Sequence, residues 1–427
     1  MNLRLRTAIV FALLLALVYF LVKIVSIYIL IIFFNIVLLY INSVFLFAYL
    51  DLKGEKQTTM KKWPSVSIII PNYNGESTLA KCIESVKALE YPSGKEIIVV
   101  DDGSRDGSLA ILKKFSGIKH ILKKKNMGKA AALNDGIRLA RGEVIVTIDS
   151  DTFPEKDCLV KMIPCLNGGV AAVTGFVRAF NTKGFVEKLQ EIEYLVAFGF
   201  FQKVLSDINA ILVTPGPMSA YKASVLRDIG GFDEKNITED MEIAFRLRQN
   251  GWRIAACIDA HMYTVVPDNL RSLFRQRTRW YRGKFVNTVK YGGMLFNPKF
   301  GEFGLFTFPF SVIVEWCVVM FVFVMVAANI EAVLNYFGAL SLVLSAGVSP
   351  EYFIPAFFGL NSSFFFYLIG AAFYSVFIYY SHELAGVKLG LARLPEMTLF
   401  IIVYSIFISA VFFFGFFKEI NRSDYSW

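Results

Sequence analysis

Val144-Ile145-Val146-Thr147-Ile148-Asp149-Ser150-Asp151 is a run of five strand-forming residues that ends abruptly in a polar turn with two carboxylates. Side chains branched at Cβ pack well on a pleated surface, and an unbroken apolar run of this length reads as a strand buried on both faces. Working back along the chain, Val66 to Ile70 is a similar run closed by Pro71, and Ile97 to Val100 is another that stops at Asp101-Asp102-Gly103-Ser104. Glu76 to Leu89 carries Leu79, Cys82, Ile83 and Val86 at helical spacing, and Lys129 to Arg141 reads as a second helix. Buried strands alternating with helices predict an α/β domain with a mainly parallel sheet. Its polar residues then gather at the strands' carboxyl ends, where ligands bind in such folds.

Outside this region the chain has the composition of a membrane protein. Of its 427 residues 55% are apolar, and the mean hydropathy is +0.52, too high for an ordinary soluble protein of this length. Apolar residues run almost unbroken from Thr7 to Leu50, with Lys23 the one charge in the run, about twice the roughly 20 residues one span needs. Two helices are expected, Thr7 to Val22 and Ser26 to Leu50. No small-residue cleavage pattern follows the first, which separates it from a signal peptide. Leu305 to Ala328, Ile354 to Tyr380 and Met397 to Phe417 each read as a span. Ala332 to Ala346 is short and reads as a span, a re-entrant piece or an interfacial helix, so the later spans number three or four. The expected organisation is a transmembrane hairpin over residues 1–50, a globular domain over 51–267, interfacial helices over 268–300 and a C-terminal membrane region over 301–427.

Arg4 and Arg6 precede the hairpin and Lys53, Lys56, Lys61 and Lys62 follow it, so the positive-inside bias puts the globular domain in the cytoplasm, beneath the plasma membrane. The loop with Lys388 and Arg393 fits that side if three spans follow, and the tail with Lys418 and Arg422 fits it if four do. Cys82, Cys158, Cys165, Cys257 and Cys317 lack the paired spacing of zinc or redox sites, as expected of free thiols in a reducing compartment. The formal charge of +9 crowds the membrane flanks and Arg271 to Lys284, which points to anionic lipid and phosphate-bearing substrates and away from nucleic acid.

Four clusters carry candidate chemistry, each with a plainer reading beside it. Asp149 and Asp151 have the spacing to aim two carboxylates at one hard cation, although acidic turn pairs are common. Asp101 and Asp102 form a good Asp-Gly-Ser turn, and equally stand where carboxylates accept hydrogen bonds from a base N–H or ribose hydroxyls. Thr238-Glu239-Asp240 opens a helix and reads as a cap with helpful acids, or as the source of a general base. Gln276-Arg277-Thr278-Arg279-Trp280 reads as an interfacial amphipathic helix, with Arg275, Arg277, Arg279 and Arg282 facing headgroups, or as an anion clamp beside a flat ring: Arg279 for a departing diphosphate and Trp280 for a sugar. Neither a dinucleotide fingerprint nor a P-loop occurs, so a nucleotide has to be held by carboxylates, a metal and an aromatic.

Taken in order, Ile70-Pro71-Asn72-Tyr73-Asn74, Val100-Asp101-Asp102-Gly103-Ser104, Asn126-Met127-Gly128-Lys129-Ala130, Asp149-Ser150-Asp151, Thr238-Glu239-Asp240 and Gln276-x-x-Arg279-Trp280 resemble the family 2 processive membrane glycosyltransferases, which include cellulose, chitin, hyaluronan and poly-N-acetylglucosamine synthases. The resemblance covers about Ser65 to Gly283 and is greatest to the poly-N-acetylglucosamine and hyaluronan branch. It implies a GT-A fold, a UDP-sugar donor, Mg²⁺ or Mn²⁺, and inverting transfer to a growing polysaccharide. It also implies roles: Tyr73 against the uracil, Asp101 or Asp102 at base and ribose, Lys129 at the diphosphate, and Asp149 and Asp151 at ribose, phosphate and metal. Asp240 becomes the base, Gln276, Arg279 and Trp280 cover diphosphate and acceptor, and Thr214-Pro215-Gly216-Pro217 is the loop before the acceptor-facing helix. A transferase that adds one sugar to a polyprenyl phosphate or glycolipid is the competing expectation, but the dolichyl-phosphate-sugar synthases lack Gln-x-x-Arg-Trp. Arg178 and Glu193 stay outside the set, the first read as pairing with a surface carboxylate and the second as lying on a solvated helix. His261 reads as structural. Glu315 and Asn361-Ser362-Ser363 are the membrane-segment polar residues that suit a path for a growing chain.

Overall fold

The computed structural model describes residues 27–51, 60–347 and 362–421. Expectations for Arg4, Arg6, Thr7 to Val22, Lys23, Lys53, Lys56, Asn361 and Arg422 fall outside the described residues. The strands are β1 (Val66–Asn72), β2 (Lys95–Asp101), β3 (Lys119–Leu122), β4 (Val144–Ile148), β5 (Thr152–Pro154), β6 (Val170–Ala179), β7 (Met218–Lys222) and β8 (Arg253–Thr264), in the sheet order β3-β2-β1-β4-β7-β6-β8-β5.

The strands read from the sequence, β1, β2 and β4, are parallel neighbours and end together: Asn72 pairs with Asp101 and Ile69 with Thr147. Beyond β4 the sheet is mixed. β7 runs against both β4 and β6, and β5 against β8, whereas β6 and β8 are parallel. Side chains alternate across the sheet, as a period of two requires. Val66, Ile68 and Ile70 enter one core with Leu79, Ile83 and Val86, while Ile69, Ile98, Val100 and Ile145 enter the other with Leu133, Ile137 and Leu247.

Among the described residues three helical stretches are long and apolar enough to cross a membrane: Ile32–Leu50, Phe303–Phe321 and Leu394–Ile420. A further helix, Ser362–Leu384, packs against Ile27–Leu50. The separate segments Leu305 to Ala328 and Ala332 to Ala346 are instead one helix, Phe308–Ser345, of 38 residues. Asn329-Ile330-Glu331 interrupts the hydropathy but holds no Gly or Pro to break the hydrogen-bond ladder. At 1.5 Å per residue this helix is about 57 Å long, well beyond a hydrocarbon layer of roughly 30 Å. Glu315, expected on a polar path, pairs with Lys284 of the Leu270–Lys290 helix.

The domain is seated on these helices. Phe200 and Val204 pack with Phe377, Phe45 and Tyr49, and Leu189, Ile192, Val196 and Leu273 pack with Ile378, Met397, Phe400 and Tyr404.

Candidate active site

The carboxyl ends of β1, β2 and β4 open onto a cavity of about 450 Å³. Asn72, Tyr73, Asp102, Lys129, Asp149 and Asp151 line its sheet side, and Ser272, Arg275, Gln276 and Arg279 of the Leu270–Lys290 helix line the other. Tyr73, just past β1, is 45% exposed at the mouth. Of the Asp101-Asp102 pair, only Asp102 borders the cavity. Asp101 is buried and accepts hydrogen bonds from Asn72 Nδ2 at 2.8 Å, Ser104 Oγ at 2.6 Å and Ser104 N–H at 3.0 Å, which fixes the turn. Asp102 accepts from the N–H groups of Met127 and Gly128 at 3.0 and 2.8 Å and pairs with Lys123, tying the loop that starts the Lys129–Leu139 helix to the sheet.

Lys129 opens that helix with its ammonium 2.5 Å from Asp149 and 3.1 Å from Glu239. Burial pushes its pKa down, but Asp149, Glu239 and Asp240 outweigh burial and hold it above the ordinary lysine value. Gly216, in the loop before β7, is where these groups converge. A Cβ there would lie 2.6 Å from Lys129 Nζ, 3.0 Å from Asp149 Oδ2 and 3.7 Å from Asp240 Oδ2. Glu239 and Asp240 begin the Glu239–Gln249 helix, where the helix dipole favours acids, and meet the cavity-lining Lys129 and Asp149 at Gly216. The Asp240 carboxylate accepts from Met241 N–H at 2.8 Å and Gly216 N–H at 3.3 Å. Burial and the charge of Glu239 push its pKa up to about 6, against Lys129 and Arg279. Glu239 is shifted the other way: burial would raise it, but Lys129 and Arg279 prevail and lower it.

Asp151 is likewise pushed up to about 6, by burial and by its neighbour Asp149. Among the described residues no three or more His, Cys, Asp or Glu side chains form a metal cage. A cation that keeps several waters and takes phosphate oxygens needs only one or two carboxylates, however, and the Asp149 and Asp151 side chains, both lining the cavity, fit Mg²⁺ or Mn²⁺. His261 lies elsewhere, 3.3 Å from Arg178, which also reaches Tyr263 and the carbonyl of Ala385.

The Leu270–Lys290 helix departs from the amphipathic expectation. Arg275 and Arg279 face the cavity, whereas Arg277 and Arg282 are buried. Arg277 pairs with Glu193 at 2.5 Å and Arg282 with Glu419 at 3.0 Å, so neither reaches headgroups: a buried guanidinium needs a carboxylate, and the fold supplies one to each. Trp280 packs against the core with the Arg277 guanidinium 3.9 Å above its ring, and it is not part of the cavity lining. Thr238 holds the cap position without a capping bond; its hydroxyl accepts from Asn287 Nδ2 at 3.1 Å. Gly283 permits that approach, since a Cβ there would lie 2.2 Å from Thr238 Oγ1. Glu193, read from the sequence as lying on a solvated helix, is instead the partner of Arg277, and sequence reasoning missed Glu242. The latter is fully buried and accepts from Tyr291 at 2.6 Å, Arg246 at 2.7 Å and Lys290 at 2.8 Å, locking the Asp240 helix to its neighbour. The one available signal was its helical spacing to Arg246.

Residues 67–230 match Glycosyl transferase family 2. Over that stretch the chain is similar to family 2 glycosyltransferase domains. Similar curated proteins include the poly-beta-1,6-N-acetyl-D-glucosamine synthase of Staphylococcus epidermidis, 34% identical over 223 residues, which are 51% of this chain and 54% of that protein. The synthase of Staphylococcus aureus is 31% identical over the same share of each. The chain thus spans about half the length of the curated relatives it matches. Among solved structures, a mannosyltransferase from Pyrobaculum calidifontis in complex with GDP-Man and Mn²⁺ superposes with a TM-score of 0.60 at 18% identity, over 93% of this chain and 100% of that one. The likeness extends the glycosyltransferase fold, with its mixed GT-A-like sheet, to the membrane-side helices.

Proposed function

We propose that the glycosyltransferase domain moves a sugar from a UDP-sugar, UDP-GlcNAc or a close analogue, to the hydroxyl end of a growing β-linked polysaccharide. The observation that carries this reading is the meeting of Lys129, Asp149 and Asp240 at Gly216, beside a cavity roofed by Gln276 and Arg279. Tyr73 takes the base, with Asp102 at base or ribose and Asp101 shaping the turn behind it. Lys129 and Arg279 hold the diphosphate, and Asp149 and Asp151 would hold a divalent cation, Mg²⁺ or Mn²⁺, which would neutralise diphosphate charge.

Asp240 accepts the proton of the attacking hydroxyl as the acceptor oxygen bonds the anomeric carbon and the carbon–oxygen bond to UDP breaks on the opposite face. One displacement inverts the α-linked donor to a β-linked product, so no covalent nucleophile is required. A carboxylate with a pKa near 6 is a stronger base than an exposed aspartate and is still ionised at neutral pH. Glu239 keeps Lys129 charged and in place, and Thr238 anchors the helix that presents both acids. The sequence identity to polymer synthases and the Gln-x-x-Arg-Trp helix favour repeated extension, and Lys61 and Lys62 beside the N-terminal hairpin favour a domain on the cytoplasmic side of the plasma membrane.

The test is transfer by the full-length protein in detergent with Mn²⁺ and each common UDP-sugar, with Asp240→Asn as control. UDP release with a ladder of long products, lost in Asp240→Asn, is expected. A single-sugar lipid product would replace polymer extension by glycolipid synthesis, and absence of transfer from every donor would overturn the reading.

A further inference from the structure

Of the two buried arginines of the Leu270–Lys290 helix, Arg277 joins three separate parts of the fold. Arg277, 2% exposed, donates from Nη2 to Glu193 Oε2 at 2.5 Å and from Nε to Oε1 at 3.3 Å, so the guanidinium is held at two points. Glu193 belongs to the Phe185–Tyr194 helix of the domain. Its Oε2 also accepts from the hydroxyl of Tyr404, at 2.8 Å, and Tyr404 lies in the membrane-crossing stretch Leu394–Ile420. On its other side Arg277 donates to Gln276 Oε1, a cavity-lining side chain, and stands 3.9 Å over the Trp280 ring.

A guanidinium has five donors in a fixed plane, so pinning two of them to one carboxylate sets the direction of the rest. Taking such a pair out of water is costly, and hydrophobic packing would stabilise the junction as well or better. Stability alone is therefore a poor reason for a charge here, and orientation is a good one.

We propose that Glu193 and Arg277 form a positioning brace, anchored to the membrane by Tyr404, that sets the orientation of Gln276 and Trp280 and so the cavity wall opposite the Asp149-Ser150-Asp151 turn. The brace rests on the proposed sugar transfer only for its kinetic consequence. Because Tyr404 reaches Gln276 through Glu193 and Arg277, a change confined to the membrane stretch alters the cavity wall.

The full-length protein in detergent carries the test, in two readouts. In a form retaining Trp280 as its sole tryptophan, with the others changed to Phe, Tyr404→Phe is expected to shift the Trp280 emission maximum and raise its quenching by acrylamide. Unchanged emission and quenching overturn the brace, whether or not any sugar is transferred. In the otherwise native protein, Tyr404→Phe is expected to lower kcat several-fold, and Arg277→Lys, which keeps the charge but loses the fork, at least tenfold, with UDP affinity unchanged. Folded variants with wild-type kcat would equally overturn it. Failure of the wild type to transfer from any donor would instead strike at the proposed function, leaving the fluorescence to decide the brace. Glu193→Gln, which strands a buried charge, is read only beside Tyr404→Phe.

Discussion

Asp240 is the residue on which protonation should be visible. Burial and Glu239 raise its pKa to about 6, and the base must be ionised to accept a proton, so transfer is lost as pH falls through about 6 and is retained above it. A pH profile of kcat/KM with saturating Mn²⁺ is expected to show this acid limb. Glu239→Gln removes the like charge and should move the limb to lower pH; a limb that stays in place would remove Asp240 from the role of base. Gly216 tests the same cluster by volume. Its Cβ would sit 2.6 Å from Lys129 Nζ, a flexible end that yields by leaving Asp149. Gly216→Ala is therefore expected to fold normally and lower kcat by about tenfold or more, each tenfold being roughly 1.4 kcal/mol of barrier. The acids of this cluster were legible in the sequence because each ends a strand or opens a helix, where side chains meet ligands. Glu193 and Arg277 were not, because their pairing spans 84 residues of chain and no local spacing announces it.

At the scale of elements, β1, β2, β4 and their helices followed from apolar runs and turn residues, since each is buried on both faces and bounded by polar breaks. The reversal at β7 did not, because strand direction depends on how Met218–Lys222 pairs with β4 and β6, not on its own composition. The Leu270–Lys290 helix was placed at the interface for a similar reason: arginines at helical spacing look alike whether they meet headgroups or buried carboxylates. What fixes its distance from the Glu239–Gln249 helix is Gly283 against Thr238. A Cβ at 2.2 Å overlaps the threonine hydroxyl, so Gly283→Ala must push the two helices apart. Overpacking of this kind costs about 1–3 kcal/mol. The expected result is a lowered melting temperature together with reduced transfer, as Gln276 and Arg279 draw back from the cavity. A compensating Thr238→Gly, which a cap position tolerates, should recover much of the melting temperature. Full activity in Gly283→Ala would show that this spacing does not matter to the site.

Across the whole molecule, a division at residues 267 and 300 into a globular domain, interfacial helices and a C-terminal membrane region says nothing of how the core is shared. Hydropathy marks which segments are apolar, but it carries no record of which soluble side chains those segments cover. Leu189, Ile192, Val196 and Leu273 all lose their cover if Ile378, Met397, Phe400 and Tyr404 are taken away. At about 1.5–3 kcal/mol for each large apolar side chain, four of them amount to roughly 6–12 kcal/mol. Typical domain stabilities are only about 5–15 kcal/mol. The same cut removes Glu419 from Arg282 and the Tyr404 hydroxyl from Glu193, leaving a buried guanidinium without its carboxylate and a carboxylate with one donor fewer. Residues 60–300 expressed alone are therefore expected to aggregate or to unfold without a cooperative transition. The full chain in detergent should melt cooperatively, with sugar transfer lost over the same temperature range. A soluble, monomeric 60–300 fragment melting within a few degrees of the full chain would mean that the membrane helices merely tether the domain; the shared core argues that they complete it.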